Sequence, residues 1–97
     1  MRRHEIDYAT AASLQTAQHL ADLVKHARIA RGWSQANVAE RARLSPATLS
    51  RMEQGSLGAS LGAWFAVLER LGLMSKIQQL SDPASEAILD STRAKRP

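Results

Sequence analysis

The sequence predicts an all-α fold: five helices with flexible termini. Three observations lead there. Apolar residues recur three and four apart from Leu20 onward. Residues that suit helix starts alternate with residues that suit helix ends: Ser34, Ser45-Pro46 and Ser60 on one side, Gly32, Gly55 and Gly72 on the other. The stretch before Gly32 is rich in Ala and Leu, with Gln and Lys among them, and all four lose little freedom in a helix.

Taken in order, residues 1–12 mix charges without a period and read as a flexible N-terminal arm. Arg2 and Arg3 have two readings, a groove-seeking arm or a solvated tail. The folded domain is set at residues 13–82, although helical composition begins near Ala11 and runs to Arg31. Ser34 can cap a second helix, about 35–42, with Val38, Ala39 and Ala42 on one face. Ser45 caps a third, about 46–54. Pro46 suits its first position, where a missing N–H costs nothing. Leu49 and Met52 would point inward with Leu44. Two helices of two turns each bury too little surface to stand alone, so the flanking helices must supply the core.

Ser60 caps a fourth helix, Leu61 to about Leu71, with a broad apolar stripe. Leu61, Trp64, Phe65, Leu68, Leu73 and Ile77 make this region more apolar than one small core requires. These six are read as a homodimer interface; a well-filled monomeric core is the other reading. A short fifth helix is expected at Met74–Leu80. Asp82-Pro83 marks a turn, and residues 83–97 read as a tail, with a brief helix at Ala84–Leu89 and disorder in STRAKRP.

Composition narrows the classes. The chain has 97 residues and no cysteine, so one domain without disulfides or a thiolate metal site is expected. That fits a cytoplasmic protein. No apolar run approaches a membrane span, and the N-terminus lacks a signal-peptide core. The net charge is +4 and the pI about 10.4. Residues 21–55 carry six basic and three acidic side chains, hence +3, so the excess sits on the half of the chain that holds the capped helix pair. A basic face favours a polyanion; a plain soluble surface is the other reading. His19, Asp22 and His26 share a helix face, read as solvated rather than as a metal site. No phosphate loop, nucleophile elbow or carboxylate pair stands out, so neither catalysis nor a cofactor is expected.

The run Trp33–Gly55 (WSQANVAERARLSPATLSRMEQG) resembles the helix-turn-helix of lambda-repressor-like (XRE-type) DNA-binding proteins. Ser34-Gln35, Val38-Ala39, Leu44-Ser45, Thr48-Leu49-Ser50-Arg51, Glu53 and Gly55 carry the likeness. One departure is Arg43, where that family usually has Gly; an Arg there accepts a positive φ or needs another turn. The resemblance implies an Arg28–Glu53 ion pair and a third helix lying in the major groove. Ser34, Gln35, Arg43, Ser45, Pro46, Ala47, Thr48, Ser50 and Arg51 then become the DNA-binding set. Gln35 would bond a phosphate. Arg43 and Arg41 would add salt-sensitive attraction. Arg51 would donate twice to guanine, unless it folds back onto Glu53 or a neighbour.

The segment after the third helix resembles HipB-type antitoxins, which pair with HipA-like serine/threonine kinase toxins. Leu61, Trp64-Phe65, Val67-Leu68, Leu71 and Leu73 carry that likeness. It implies a bacterial homodimer that binds double-stranded operator DNA, represses its own operon and neutralises the kinase. In that family the end after the fourth helix can form strands, whereas MSKIQQL reads helical. The alternatives are a stand-alone repressor, an antitoxin of another toxin class, and an interaction module that reads no DNA.

Overall fold

Each of the first four helices starts on a hydroxyl. The computed structural model describes residues 9–94. In it Thr10, Ser34, Ser45 and Ser60 cap α1 (Ala11–Ala30), α2 (Gln35–Ala42), α3 (Pro46–Glu53) and α4 (Leu61–Arg70). Their side-chain oxygens accept from the backbone amides of Ser13, Asn37, Thr48 and Ala63 at 3.0, 3.0, 3.1 and 3.0 Å. Each bond satisfies one of the amides that a helix start leaves unpaired.

The same four helices end alike. Trp33, Leu44, Ser56 and Leu73 donate their N–H groups back to the carbonyls of Arg28, Ala39, Arg51 and Leu68. This six-to-one bond needs a left-handed residue just before the donor. Gly32, Gly55 and Gly72 fill that place with φ of 70°, 86° and 74°. Arg43 fills the fourth with φ 59°. A residue with a Cβ holds this conformation at a cost of roughly 1–2 kcal/mol. Arg43→Gly should therefore stabilise the chain by about 1 kcal/mol, read as a raised denaturant midpoint at unchanged slope. An unchanged or lowered midpoint would show that the Arg43 side chain compensates its own backbone strain.

Gly55 has a second reason to be glycine. A Cβ there would stand 2.8 Å from Gln18 Oε1 and 3.6 Å from the Gln18 Cα. The end of α3 thus passes close over α1.

The core lies among α1–α4. Val24 of α1, Val38 of α2, Leu49 and Met52 of α3, and Val67 and Leu71 at α4 are fully buried. Each large apolar side chain buried this way contributes about 1.5–3 kcal/mol. Ala39 and Ala63 are buried too, and their small size lets the helix axes approach. At the far end of α1, Arg31 Nη2 donates to the Leu71 carbonyl at 2.7 Å while Nη1 donates to Ala27 O at 2.8 Å. This guanidinium ties the C-terminal ends of α1 and α4 together.

The fold is all-α, with six helices and no strand among the described residues. The sequence reading gave five and a tail. α5 is Met74–Gln78, shorter than expected, and the segment after α4 is helical. The sixth, α6 (Pro83–Ala94), occupies most of the expected tail and extends the brief helix expected there. Asp82 starts it: its carboxylate accepts from the Ser85 hydroxyl and amide, and Pro83 takes the first position. Those bonds hold the Asp82 carboxyl below the usual carboxylate range. α1 begins two residues inside the expected arm. Arg2 and Arg3 lie outside the described residues, as do the last three residues of the tail.

Candidate nucleic-acid interface

The site is built on one buried ion pair. Arg28 sits on α1 and Glu53 at the last position of α3. Arg28 Nε donates to Glu53 Oε2 at 2.8 Å, and Nη2 donates to Oε1 at 3.0 Å. Its remaining Nη1 donates to the Trp33 carbonyl at 2.8 Å. The side chains are 12% and 3% exposed. A two-pronged pair of this kind fixes direction as well as distance. The hydrogen bond that Arg28 donates to Glu53, against the opposing cost of burial, raises the Arg28 pKa above its ordinary value. One guanidinium thus locks α1, the α1–α2 turn and the end of α3.

Glu53 holds a third partner. Gln35 Nε2 donates to Glu53 Oε1 at 3.0 Å. Sequence reasoning placed Gln35 on a phosphate and missed this bond. Here its amide nitrogen is committed inward and the residue is half-buried. Nothing local signals such a bond: the partners are 18 residues apart and meet only because α2 and α3 cross.

With Leu49, Met52 and Glu53 buried, the opposite face of α3 is turned out. Pro46, Ala47, Arg51 and Gln54 are exposed, and Thr48 and Ser50 are half-buried. Ala47, Ser50, Arg51 and Gln54 stand at i, i+3, i+4 and i+7, so they form one stripe. Gln54 was absent from the sequence-derived set; its place seven after Ala47 was the available signal. Its Nε2 donates to Ser50 Oγ at 3.3 Å. Ser45 Oγ and Thr48 Oγ1 lie 2.8 Å apart and brace the first turn.

Arg51 does not fold onto Glu53, whose oxygens face Arg28 and Gln35. Among the described residues its guanidinium has one hydrogen-bond acceptor in reach, Thr48 Oγ1 at 3.5 Å, the outer limit of a hydrogen bond. The guanidinium is exposed and projects from the stripe. Arg43 is likewise exposed at the turn, and Ser34 and Ser45 are exposed at their caps. Arg41 is more restrained: its guanidinium lies 4.2 Å from the centre of the Trp33 ring, and its Nε donates to Asn37 Oδ1 at 2.6 Å.

The residues assigned to a dimer interface divide into three groups. Leu68 is 3% exposed inside the chain's own core, so it has no surface to offer a partner and leaves the set. Trp64, Leu73 and Ile77 are half-buried against that core. Leu61 and Phe65, one turn apart on α4, are 66% and 37% exposed. His19, Asp22 and His26 are exposed on α1, and no three metal-ligating side chains gather among the described residues. No helix of the described residues is long and apolar enough to cross a membrane.

Two short helices at an angle, a capped turn between them and an outward second helix define a helix-turn-helix DNA-binding domain of the XRE-like kind. A family model described as a helix-turn-helix domain matches residues 19–77, and the chain belongs to that family. The match runs from the middle of α1 into α5 and stops before α6. Comparison with curated proteins and with solved structures gave no match.

Proposed function

We propose that this chain is a sequence-specific, operator-binding repressor that acts as a homodimer. The observation that carries the reading is the α3 stripe Ala47–Ser50–Arg51–Gln54, projecting from a helix locked behind by Leu49, Met52 and the Arg28–Glu53 pair. In this pose the stripe enters the major groove. Arg51 donates twice to guanine, Ala47 meets a thymine methyl, and Gln54 suits adenine. Ser34, Ser45 and the Arg43 cation face phosphates, which position the domain without reading sequence.

One such domain reads few base pairs. Two copies about one helical turn apart, roughly 34 Å, read two half-sites. Leu61 and Phe65 supply exposed apolar surface for that pairing. The likeness of residues 61–73 to HipB-type antitoxins extends the proposal: a bacterial cytoplasmic antitoxin that neutralises a HipA-like kinase and represses its own operon. The kinase would take faces away from α3. No cofactor and no catalysis enter this reading.

A gel shift tests it. A palindromic fragment from upstream of the gene should be retarded in preference to unrelated DNA, with affinity falling steeply as salt rises. Equal binding to every fragment, or none, overturns the repressor reading. Co-purification with a serine/threonine kinase tests the antitoxin part; full repression with no bound kinase overturns that part alone.

A further inference from the structure

None of the described side chains of α6 is buried. Every residue from Gln78 to Arg93 is exposed. A 12-residue helix without packing is marginal in water, so a surface to pack on is called for. α6 is also amphipathic. Ala84, Ala87, Ile88 and Ser91 recur at i, i+3, i+4 and i+7, whereas Leu89 lies off this stripe, next to Arg93 on the helix surface. Ile88 and Leu89 are 66% and 56% exposed. Glu86, Asp90 and Arg93 occupy the other side, where Arg93 and Asp90 pair at 3.8 Å.

The same chain carries an acceptor of the right chemistry. An open groove of about 410 Å³ lies between the N-terminal half of α1 and α4, lined by Ala12, Thr16, Leu20, Leu57 and Trp64 among others. None of its lining residues is charged. An amphipathic helix in an apolar groove is a recurrent mode of recognition.

We propose that α6 of a second copy docks in this groove, with Ile88 inward, and that the exchange is reciprocal. The proposal rests on the homodimer reading above and gives that dimer a contact surface of its own. One feature favours a second copy over the chain's own α6, and charge is compatible with either. The helix stays exposed along its length, held to α5 by only four residues, 79–82. Charge also fits. Asp82, Glu86 and Asp90 against Arg93 give residues 82–94 a net −2, ahead of the basic pair Lys95-Arg96, whereas residues 19–77 carry eight basic and four acidic side chains, net +4. Opposite signs speed the encounter of helix and domain. A mutual exchange across a two-fold axis closes, leaving no free groove.

The chain has no cysteine, which makes the test direct. Ala12→Cys and Ile88→Cys fall at exposed positions, so neither disturbs the core. Mixing the two single variants under mild oxidation should give a two-chain disulfide species joining Cys at 12 to Cys at 88, identified by peptide mass. No such species should form when the oxidation is carried out in denaturant. The doubly substituted chain should cross-link between chains; a disulfide within one chain as the main product overturns the second copy as occupant. Ile88→Glu should weaken dimerisation at least tenfold by sedimentation, and Leu89→Glu, on the other side of the helix, should leave it unchanged. If the wild type is a dimer that neither test touches, while Phe65→Glu splits it, the docking of α6 is wrong and the homodimer reading stands. A wild type that stays monomeric overturns both.

Discussion

Glu53→Gln should lower stability by about 3–5 kcal/mol, the usual result of removing one partner from a buried ion pair. For a domain of this size, 1 kcal/mol moves the thermal midpoint by roughly 4–8 °C, so a fall of more than about 10 °C is expected. The cause is the Arg28 guanidinium, 12% exposed, left without its counter-charge. Gln at position 53 also removes the charge that receives Gln35. Scanning calorimetry of the variant beside the wild type checks this. A shift under about 3 °C would mean that water reaches Arg28 and that the pair contributes little. The pH dependence has a defined sign. Because the folded state raises the Arg28 pKa, the stability it contributes is complete below the ordinary arginine value and lost only as pH climbs through the raised one. The Arg28 contribution should therefore be flat from pH 7 to 9.

Arg51→Ala should remove discrimination for the operator by about 1–3 kcal/mol, roughly 5- to 150-fold in relative affinity. Binding to unrelated DNA should fall much less, since one phosphate-type cation among several is a minor loss. The substitution is safe for the fold. Arg51 is exposed, its nearest side-chain acceptor is at 3.5 Å, and alanine is a better helix former. Competition binding with operator and scrambled fragments, alongside far-UV circular dichroism, separates the outcomes. Equal loss on both fragments at full helicity would assign Arg51 to a phosphate and move base reading to Gln54 and DNA shape.

What the sequence shows plainly are events decided within a few residues. A hydroxyl at Ser34, Ser45 or Ser60 meets an amide three positions on, so helix starts are readable. Gly32, Gly55 and Gly72 mark ends for an equally local reason. Arg43 shows the limit. Its departure from glycine is visible, but that it takes the left-handed conformation rather than a different turn depends on how α2 and α3 pack. Periodicity finds the apolar stripe of α4, yet not which arc meets the core; hence Leu68 and Phe65 look alike in sequence and differ in burial. α6 was read mostly as tail because its composition is polar, although Asp82-Pro83 with Ser85 is a sound helix start. At the candidate site, Arg51 is identifiable by chemistry alone. The inward bond of Gln35 is not, because two crossing helices create it.

The Arg31 bond to the Leu71 carbonyl acquires a mechanical meaning beside the Arg28–Glu53 pair. Besides its apolar packing and the loop to α4, a pull on α3 has two routes into the body of the molecule. One runs along the chain through the Arg43 turn, where the backbone is already under strain. The other leaves the chain at Glu53, crosses to Arg28, follows the stiff rod of α1 for one turn, and passes through Arg31 to the end of α4. That second route bypasses the weakest turn with two guanidinium clamps on one helix. α1 therefore acts as a tie-beam, and the pair α2–α3 lifted out of this chain would lose its load path along with its core.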